Sequence, residues 1–410
     1  MVDKEGDECN SNFARCRAEG GGDDDMIVNA MAVAAAALVA LSGAGCAYLV
    51  LSAWAVRRLA RRRQVPGAAA APVSVLKPLC GEDAELEDNL RSFCRQDYPH
   101  FQVVFGVRDD GDPALPVVRR VMAAFPDRDL RLVVAPPHHA SNLKVANLLN
   151  MLPAARHDIL VISDSDMRVT PGYLAAVTAP LADPAVGIVT CLYRGIPAGG
   201  IWSTFGCLHV NHGFLPQAAV AAVIGAGAGC FGASIALRRD TLERIGGFAA
   251  VADALADDYA LGAAVRRIGR RIELSAQLVD NVIAEPGLAA LMRHELRWAR
   301  TIRLVAPAGF AGSIVTQPVA VALLAVALGA LPAAAPAMLV LALVCRAATA
   351  RAIDRSLGLP PAPLHLLPLR DVLSFTVFVA SFFARRVAWR DRTFRVSPSG
   401  EMTLDGDSPA

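Results

Sequence analysis

From Ile27 to Val56 the chain is almost uninterruptedly apolar, longer than the roughly twenty residues an α-helix needs to cross the hydrocarbon of a bilayer. This segment is expected to span a membrane. Arg57, Arg58, Arg61, Arg62 and Arg63 follow at once, and an excess of Arg beside a span marks its cytoplasmic side. What comes next is therefore expected in the cytosol. Hydrophobic residues make up 54% of the 410, too many for an ordinary soluble domain. The net charge of +2 supplies no broad basic field, and the arginines gather beside apolar segments, which excludes nucleic acid as the expected partner. Nine cysteines, none in a C-x-x-C pair, read neither as a disulfide scaffold nor as a zinc site, and point to a reducing compartment.

The remaining organisation follows from changes of texture. Residues 1–25 are polar, rich in Gly and Asp, and lack the pattern of a secretory signal, so a disordered tail is expected there. Met26 directly precedes the apolar run, which suggests a natural start at that residue. The expected layout is a transmembrane helix over 26–56, a basic linker over 57–72 with an Ala/Pro/Gly stretch from Gly67 to Pro72, and a cytosolic domain over 73–303. Within that domain, short apolar runs (Val73 to Leu76, Phe101 to Val107, Leu130 to Val134, Ile159 to Ile162, Gly187 to Cys191) alternate with helix-like stretches. Such alternation predicts an α/β fold with a mostly parallel sheet covered on both faces. Residues 304–390 turn apolar again, with a predicted hairpin at Val315 to Leu331 and Ala337 to Cys345 and a further stretch at Val372 to Ala384. Three spans there would carry Arg385, Arg386 and Arg390 outside, against the charge rule, so one piece is expected to re-enter or lie in the interface. A tail over 391–410 closes the layout.

Ligands in such folds bind beyond the carboxyl ends of the strands, and of four charged constellations the first two directly follow apolar runs, the third follows the turn Ile245 to Phe248 and the fourth precedes the C-terminal apolar region. The first is Arg108-Asp109-Asp110-Gly111-Asp112-Pro113, after the second run; a solvated acidic turn would look the same. The second is Ser163-Asp164-Ser165-Asp166, whose alternate carboxylates suit a hard cation, Mg²⁺ or Mn²⁺, with substrate phosphates completing its shell. In the third, Ala256-Asp257-Asp258-Tyr259, adjacent carboxylates repel, burial raises one pKa further, and a general base becomes available; a helix N-terminus would also favour the pair. The fourth is His294-Glu295-Leu296-Arg297-Trp298, where Arg forks onto diphosphate and Trp offers an apolar face, although both types are common at any membrane interface. Lys144 is a candidate phosphate partner or a helix-face charge. The Gly225 to Gly232 run lacks the ending of a P-loop, so close backbone approach or tight packing fits it better. Cys207, His209 and His212 fit no tetrahedral zinc spacing.

Taken together these residues resemble the ceramide glucosyltransferase family of GT-A glycosyltransferases, and within it the hopanoid-associated bacterial members. The resemblance covers about Ile27 to Arg395 and is strongest at Val73-Ser74-Val75-Leu76-Lys77-Pro78-Leu79-Cys80-Gly81, Asn89-Leu90 and Gln96-Asp97-Tyr98-Pro99, followed by the four constellations in family order. It implies an inverting, metal-dependent transfer from a UDP-sugar to a lipid hydroxyl. By position, Asp109 resembles the uridine-contacting acid, and Asp164 and Asp166 the acids at metal and diphosphate. Asp258 resembles the catalytic base, Arg297 and Trp298 the pair between donor and acceptor, and Lys144, Asp257 and His294 further donor-binding residues. His294 departs from the Gln or Arg of the family motif, though a protonated His still donates to phosphate. UDP-N-acetylglucosamine with a hopanoid polyol is the first expectation and UDP-glucose with ceramide the second. A processive polysaccharide synthase would need a wider membrane channel. A transporter would carry ionisable residues in its spans, and Ile27 to Val56 and Val315 to Leu331 have none. A non-catalytic nucleotide-sugar or lipid binder is the alternative of another class. The Ala- and Arg-rich composition suggests a high-GC bacterium, and with the apolar spans the expected location is its inner membrane, with the catalytic domain facing the cytosol.

Overall fold

A computed structural model describes residues 5–62, 71–136, 140–225 and 229–383, with side chains from 26 onward, and the backbone of 386–389, 392–396 and 402–404. Arg63, most of the linker, Ala226 to Ala228, Arg385 and Arg390 lie outside the described residues. The first helix, α1, runs Glu5–Ala60. Its course through 5–25 differs from the disordered tail expected there. No proline interrupts that stretch, and a helix once nucleated by the apolar segment adds one hydrogen bond for each residue it fixes.

The central sheet is built from β1 (Val73–Pro78), β2 (Phe101–Val107), β3 (Asp129–Val134), β4 (Ile159–Ser163), β6 (Val186–Thr190), β8 (Ser234–Arg238) and β9 (Arg271–Leu274). Their order is β3-β2-β1-β4-β8-β6-β9, parallel throughout except that β8 runs antiparallel to both its neighbours. The expected α/β class and mostly parallel sheet are both present. Side chains alternate across each strand: Val73, Val75 and Val161 pack on one face, Leu76, Leu160 and Ile162 on the other. Helices α2 (Leu86–Cys94), α3 (Ala114–Ala124) and α5 (Tyr173–Thr178) cover the first face, through Phe93, Val118 and Leu174. The opposite face is covered by α4 (Leu143–Met151), α8 (Arg239–Arg244) and α9 (Asp257–Arg267), through Leu148, Leu242 and Val265. Burial of both faces is why the strands read as continuous apolar runs.

Gly106, next to the end of β2, fixes how closely α4 approaches. A Cβ there would stand 2.4 Å from both Asn147 Oδ1 and Met151 Sδ, so glycine alone lets the helix lie against the strand. A second, three-stranded sheet, β5-β10-β7, joins β5 (Met167–Arg168), β7 (Tyr193–Pro197) and β10 (Val279–Ile283) beside the strand ends. Neither this sheet nor β8 was expected, because their segments are short and carry little apolar periodicity.

Helices α6 (Gly200–His209) and α7 (Leu215–Val223) are joined by a π-helical turn at Val210–Phe214. After α10 (Leu288–Val305) come α11 (Pro307–Gly312), α12 (Pro318–Ala327), α13 (Ala334–Leu357) and α14 (Leu367–Ala380). Among the described residues, three helical stretches are long and apolar enough to cross a membrane: Met26–Ala60, Ala334–Leu357 and Leu364–Phe383. The first arm of the expected hairpin is not a straight span. Pro307–Thr316 and Pro318–Ala327 meet at 71°, and the second piece alone, at about 1.5 Å per residue, covers only half the hydrocarbon. Pro318 at the break explains it, since proline can begin a helix but not continue one. Residues 391–410, expected as a tail, contain β12 (Arg392–Val396) and β13 (Met402–Leu404), which complete a small sheet begun by β11 (Arg386–Trp389). This is in keeping with the strand preference of Thr393, Phe394 and Val396.

Ion pairs sealed from solvent tie the domain to its membrane helices. Arg370 of α14 grips Glu295 of α10 in a two-pronged pair, Nη1 to Oε1 at 2.7 Å and Nη2 to Oε2 at 2.6 Å, with the side chains 1% and 2% exposed. Arg346 of α13 holds Asp371 of α14 and donates to the His212 carbonyl. Removing one partner of such a pair strands the other charge, at a cost of about 3–5 kcal/mol. Glu295→Leu is expected to destabilise the chain by that order, read as a large fall in the melting temperature of the detergent-solubilised protein; Glu295→Leu combined with Arg370→Leu is expected to recover most of it.

Candidate active site

The carboxyl ends of β1 and β4 and the N-termini of α4 and α9 converge on one cluster of charges. Asn142 caps α4, its Oδ1 accepting from the backbone N–H of Lys144 at 3.0 Å and Val145 at 3.2 Å, the cap geometry that asparagine favours. Its amide donates to the Ala254 carbonyl at 3.0 Å and lies 3.5 Å from Asp257 Oδ1, so one buried residue positions both helix starts. Lys144 then reaches Asp164 Oδ1 at 2.7 Å and Asp257 Oδ2 at 3.3 Å. Burial works against its charge, but Asp164, Asp257 and Asp258 outweigh that and hold the ammonium above its ordinary range.

Asp258 has both oxygens held by backbone: Oδ2 accepts from Gly232 N–H at 2.9 Å and Oδ1 from Tyr259 N–H at 2.7 Å. Burial, and then Asp257 beside it, push its carboxyl up to about 6, against the opposing pull of Lys144. Asp166 is also pushed to about 6, by burial first and then by Asp164 and Asp83, while Asn281 of β10 donates to its Oδ2 at 2.7 Å. Tyr193 of β7 feels Asp258, Asp166 and Asp164 together with Arg297, and burial above all raises its phenol. Its ring stacks on Phe214 at 4.8 Å. Tyr193 is therefore the point where the carboxylate cluster meets α10.

The structure thus brings together Lys144, Asp164, Asp166, Asp257 and Asp258, with Arg297 adjoining. On α10, His294 Nδ1 contacts Glu285 Oε1 at 2.8 Å and its ring meets Trp298 at 4.2 Å between centroids. Trp298 also stacks on His209, with centroids 6.0 Å apart. With Nδ1 engaged, Nε2 of His294 remains the nitrogen able to face a ligand. Asp109 stands apart: half exposed, it pairs with Arg108 at 3.0 Å and accepts from Gly111 N–H. The inward acid of that loop is Asp112, which accepts from Gly81 and Ala114 N–H and ties the β1 and β2 loops together. Cys207, His209 and His212 diverge, since His209 faces Trp298 and His212 faces Asp354.

Lys77 had no role assigned to it from sequence. It is fully buried, donates to the Asp164 carbonyl, and lies 4.0 Å from the centre of the Phe93 ring. Burial drives its ammonium down to about 7, against Asp164, Asp166 and Asp83. A lysine inside an otherwise apolar strand was the available signal. Asp83, hydrogen-bonded by Ser165 Oγ beside Asp166, and Asn281 gave none, being ordinary polar residues in sequence.

The residues fit a hard divalent cation. Five carboxylates, of Asp83, Asp164, Asp166, Asp257 and Asp258, face the two ammoniums of Lys77 and Lys144, an excess of negative charge. Among the described residues no three His, Cys, Asp or Glu form a cation site unaided. Asp164 and Asp166 would supply one or two oxygens and leave the rest to water and phosphate, as Mg²⁺ prefers. Gly232 borders the charges directly: a Cβ there would stand 3.4 Å from Asp258 Oδ2, 3.4 Å from Lys144 Nζ and 3.7 Å from Asp164 Oδ2. Those are contact distances, not clashes. Gly232→Ala is accordingly expected to leave the melting temperature nearly unchanged while weakening Mn²⁺ binding several-fold by calorimetry; unaltered binding would show that the added methyl does not reach the cation.

The chain is similar in sequence to known glucosyltransferases. Ceramide glucosyltransferase 1 of Caenorhabditis elegans is 26% identical over 234 residues, covering 56% of this chain and 49% of that protein. The ceramide glucosyltransferase of Komagataella phaffii is 35% identical over 107 residues, 25% of this chain and 21% of the relative. The chain thus spans about half the length, or less, of these curated relatives. A mannosyltransferase from Pyrobaculum calidifontis, solved with GDP-Man and Mn²⁺, superposes with a TM-score of 0.49 at 23% identity, over 85% of this chain and 99% of its own. The sequence model of glycosyl transferase family 21 matches residues 36–402, and the chain belongs to that family.

Proposed function

We propose that this chain transfers the sugar of a UDP-sugar, with inversion, to a hydroxyl of a membrane lipid, and that the acceptor is a sphingoid lipid of the ceramide class receiving glucose. The observation that carries the reaction type is the Asp258 carboxylate, poised near neutrality beside the Lys144, Asp164 and Asp257 cluster. The named relatives support the acceptor class, since they are ceramide glucosyltransferases. This reverses the order expected from sequence, in which a hopanoid polyol with N-acetylglucosamine stood first.

In this reading the donor diphosphate lies against Lys144 and Arg297, with His294 beside them, and Asp109 at the rim meets the uridine. Asp164 and Asp166 would hold Mg²⁺ or Mn²⁺, and a cation bound there offsets charge on the leaving diphosphate. Asp258 takes the proton of the acceptor hydroxyl. The oxygen forms its bond to the anomeric carbon as the carbon–phosphate oxygen bond breaks, UDP departs and the configuration inverts. Trp298, in contact with the rings of His294 and His209, gives the acceptor an apolar wall beside the reacting centre. The domain faces the cytosol, the side marked by the arginines that end α1.

The deciding measurement is mass spectrometry of lipids after incubating the reconstituted protein with UDP-glucose or UDP-N-acetylglucosamine and ceramide or hopanoid acceptors. Hexosyl-ceramide is expected. A hexosamine-bearing hopanoid would restore the other acceptor, and bound UDP-sugar without any glycolipid would point to a binder. Asp258→Asn is expected to lower turnover by about 10²–10⁴, the usual worth of a general base, with UDP affinity retained; near-wild-type turnover would remove Asp258 from that role. Because the base must be ionised and its carboxyl titrates at about 6, the rate in the wild type is expected to fall as pH drops through 6, and to be flat at higher pH where the base is already charged.

A further inference from the structure

The small β5-β10-β7 sheet has a second face. Its register sets Asp280 opposite both Arg168 and Arg194, and Asn281 opposite Met167 and Gly195. Because side chains alternate, Arg168, Arg194 and Asp280 lie on the face away from Tyr193 and Asn281, and so away from the carboxylate cluster. Behind them is a cavity of about 250 Å³, lined on its polar side by Arg62, Arg168 and Arg194 and on its apolar side by Leu59, Leu215 and Leu357. That is far more room than one bridging water requires.

The arginines are only partly engaged. Arg194 uses Nε on Asp280 and Nη1 on the Leu357 carbonyl. Arg168 uses Nε on Asn89 and Nη2 on Glu85. Each keeps one terminal nitrogen, Nη2 of Arg194 and Nη1 of Arg168, with no hydrogen-bond partner among the described residues, and the exposed Arg62 side chain has none there either. Among the described residues, Asp280 is the one acid lining the cavity, so positive charge remains in excess.

Depth supplies the second argument. Leu59 and Leu357 come from the ends of α1 and α13, two of the candidate spans. Beyond the apolar stretches of these helices, the first fully exposed charges are Arg57 on α1 and Arg355 on α13, since Arg346 and Asp354 are buried and paired and Arg351 is half-buried against Asp354. The cavity therefore sits where the lipid-facing surface changes from apolar to basic, at the level of lipid headgroups. A basic cluster directly after a span attracts anionic lipid at about 1 kcal/mol for each Lys or Arg near the surface.

We infer that this cavity holds the headgroup of an anionic phospholipid, with its phosphate on Arg62, Arg168 and Arg194 and the first methylenes of its chains on Leu59, Leu215 and Leu357. Guanidinium groups suit phosphate because their fixed fork matches its oxygens. The excess positive charge disfavours a choline or ethanolamine headgroup, and the apolar wall distinguishes a lipid from a free anion. Bound there, the lipid braces the sheet whose other face presents Asn281 to Asp166. The inference rests on α1 and α13 as spans, not on the proposed transfer reaction.

The test uses the full chain in non-ionic detergent, examined by native mass spectrometry with phosphatidylglycerol, phosphatidylcholine or inorganic phosphate added. One phosphatidylglycerol is expected to be retained per chain in preference to phosphatidylcholine, to resist competition by millimolar phosphate, and to be lost several-fold more readily from Arg62→Gln. That substitution removes an exposed side chain and leaves the packing untouched. Equal retention of the two lipids, displacement by phosphate alone, or unchanged retention in Arg62→Gln would each overturn the proposal.

Discussion

The contact on which the site depends is that of Lys144 with Asp164 and Asp257. One ammonium joins the loop after β4 to the start of α9, and it is delivered by α4, whose closeness to β2 is set by Gly106. Without that charge, two loops of like sign would face one another across a buried space and repel. The cluster is therefore built like an incomplete salt: its excess carboxylates are held together by one lysine from the helix and one, Lys77, from beneath. Two of the carboxyls are pushed up to about 6, by burial first and then by the carboxylates beside them. A shortage of positive charge within the protein is what a cation site should display before the cation arrives.

Much of the fold was legible because the parallel strands are buried on both faces. The run Phe101 to Val107 is β2 to the residue, and the others differ by one or two positions. Strand β8 was not legible, since Ser-Ile-Ala-Leu-Arg is too short to show a period, and β5 holds only two residues. The bend between α11 and α12 was half legible: Pro318 was visible in the sequence, but a break of 71° is a property of packing.

Within the site, Asp164 and Asp166 follow β4 directly, while Lys144, Asp257 and Asp258 are brought to them by the starts of α4 and α9. What could not be read was which acid of a loop turns inward. Asp109 and Asp112 belong to the same turn, yet Asp112 is buried and Asp109 half exposed, a difference to which the Gly81 N–H of another loop contributes. Lys77, Asp83 and Asn281 contribute through contacts between segments distant in sequence, for which no local pattern exists.

The π-helical turn at Val210–Phe214 has a consequence for how the domain meets the membrane. An ordinary α-helix keeps one face along its length, with residues three and four apart in line. Here the ladder slips, and the two halves of a single rod look in different directions. Up to the start of that turn, Cys207 and Val210 pack with Ile283 and Trp298; after it, Leu215, Ala219 and Val220 pack with Ala55, Val56 and Ile353 of α1 and α13. The rod behaves as a shaft with two keyways cut out of phase. One continuous rod thus joins the packing against the ends of α1 and α13 to the packing beside β10 and Trp298, with the change of face made at a single irregular turn of backbone.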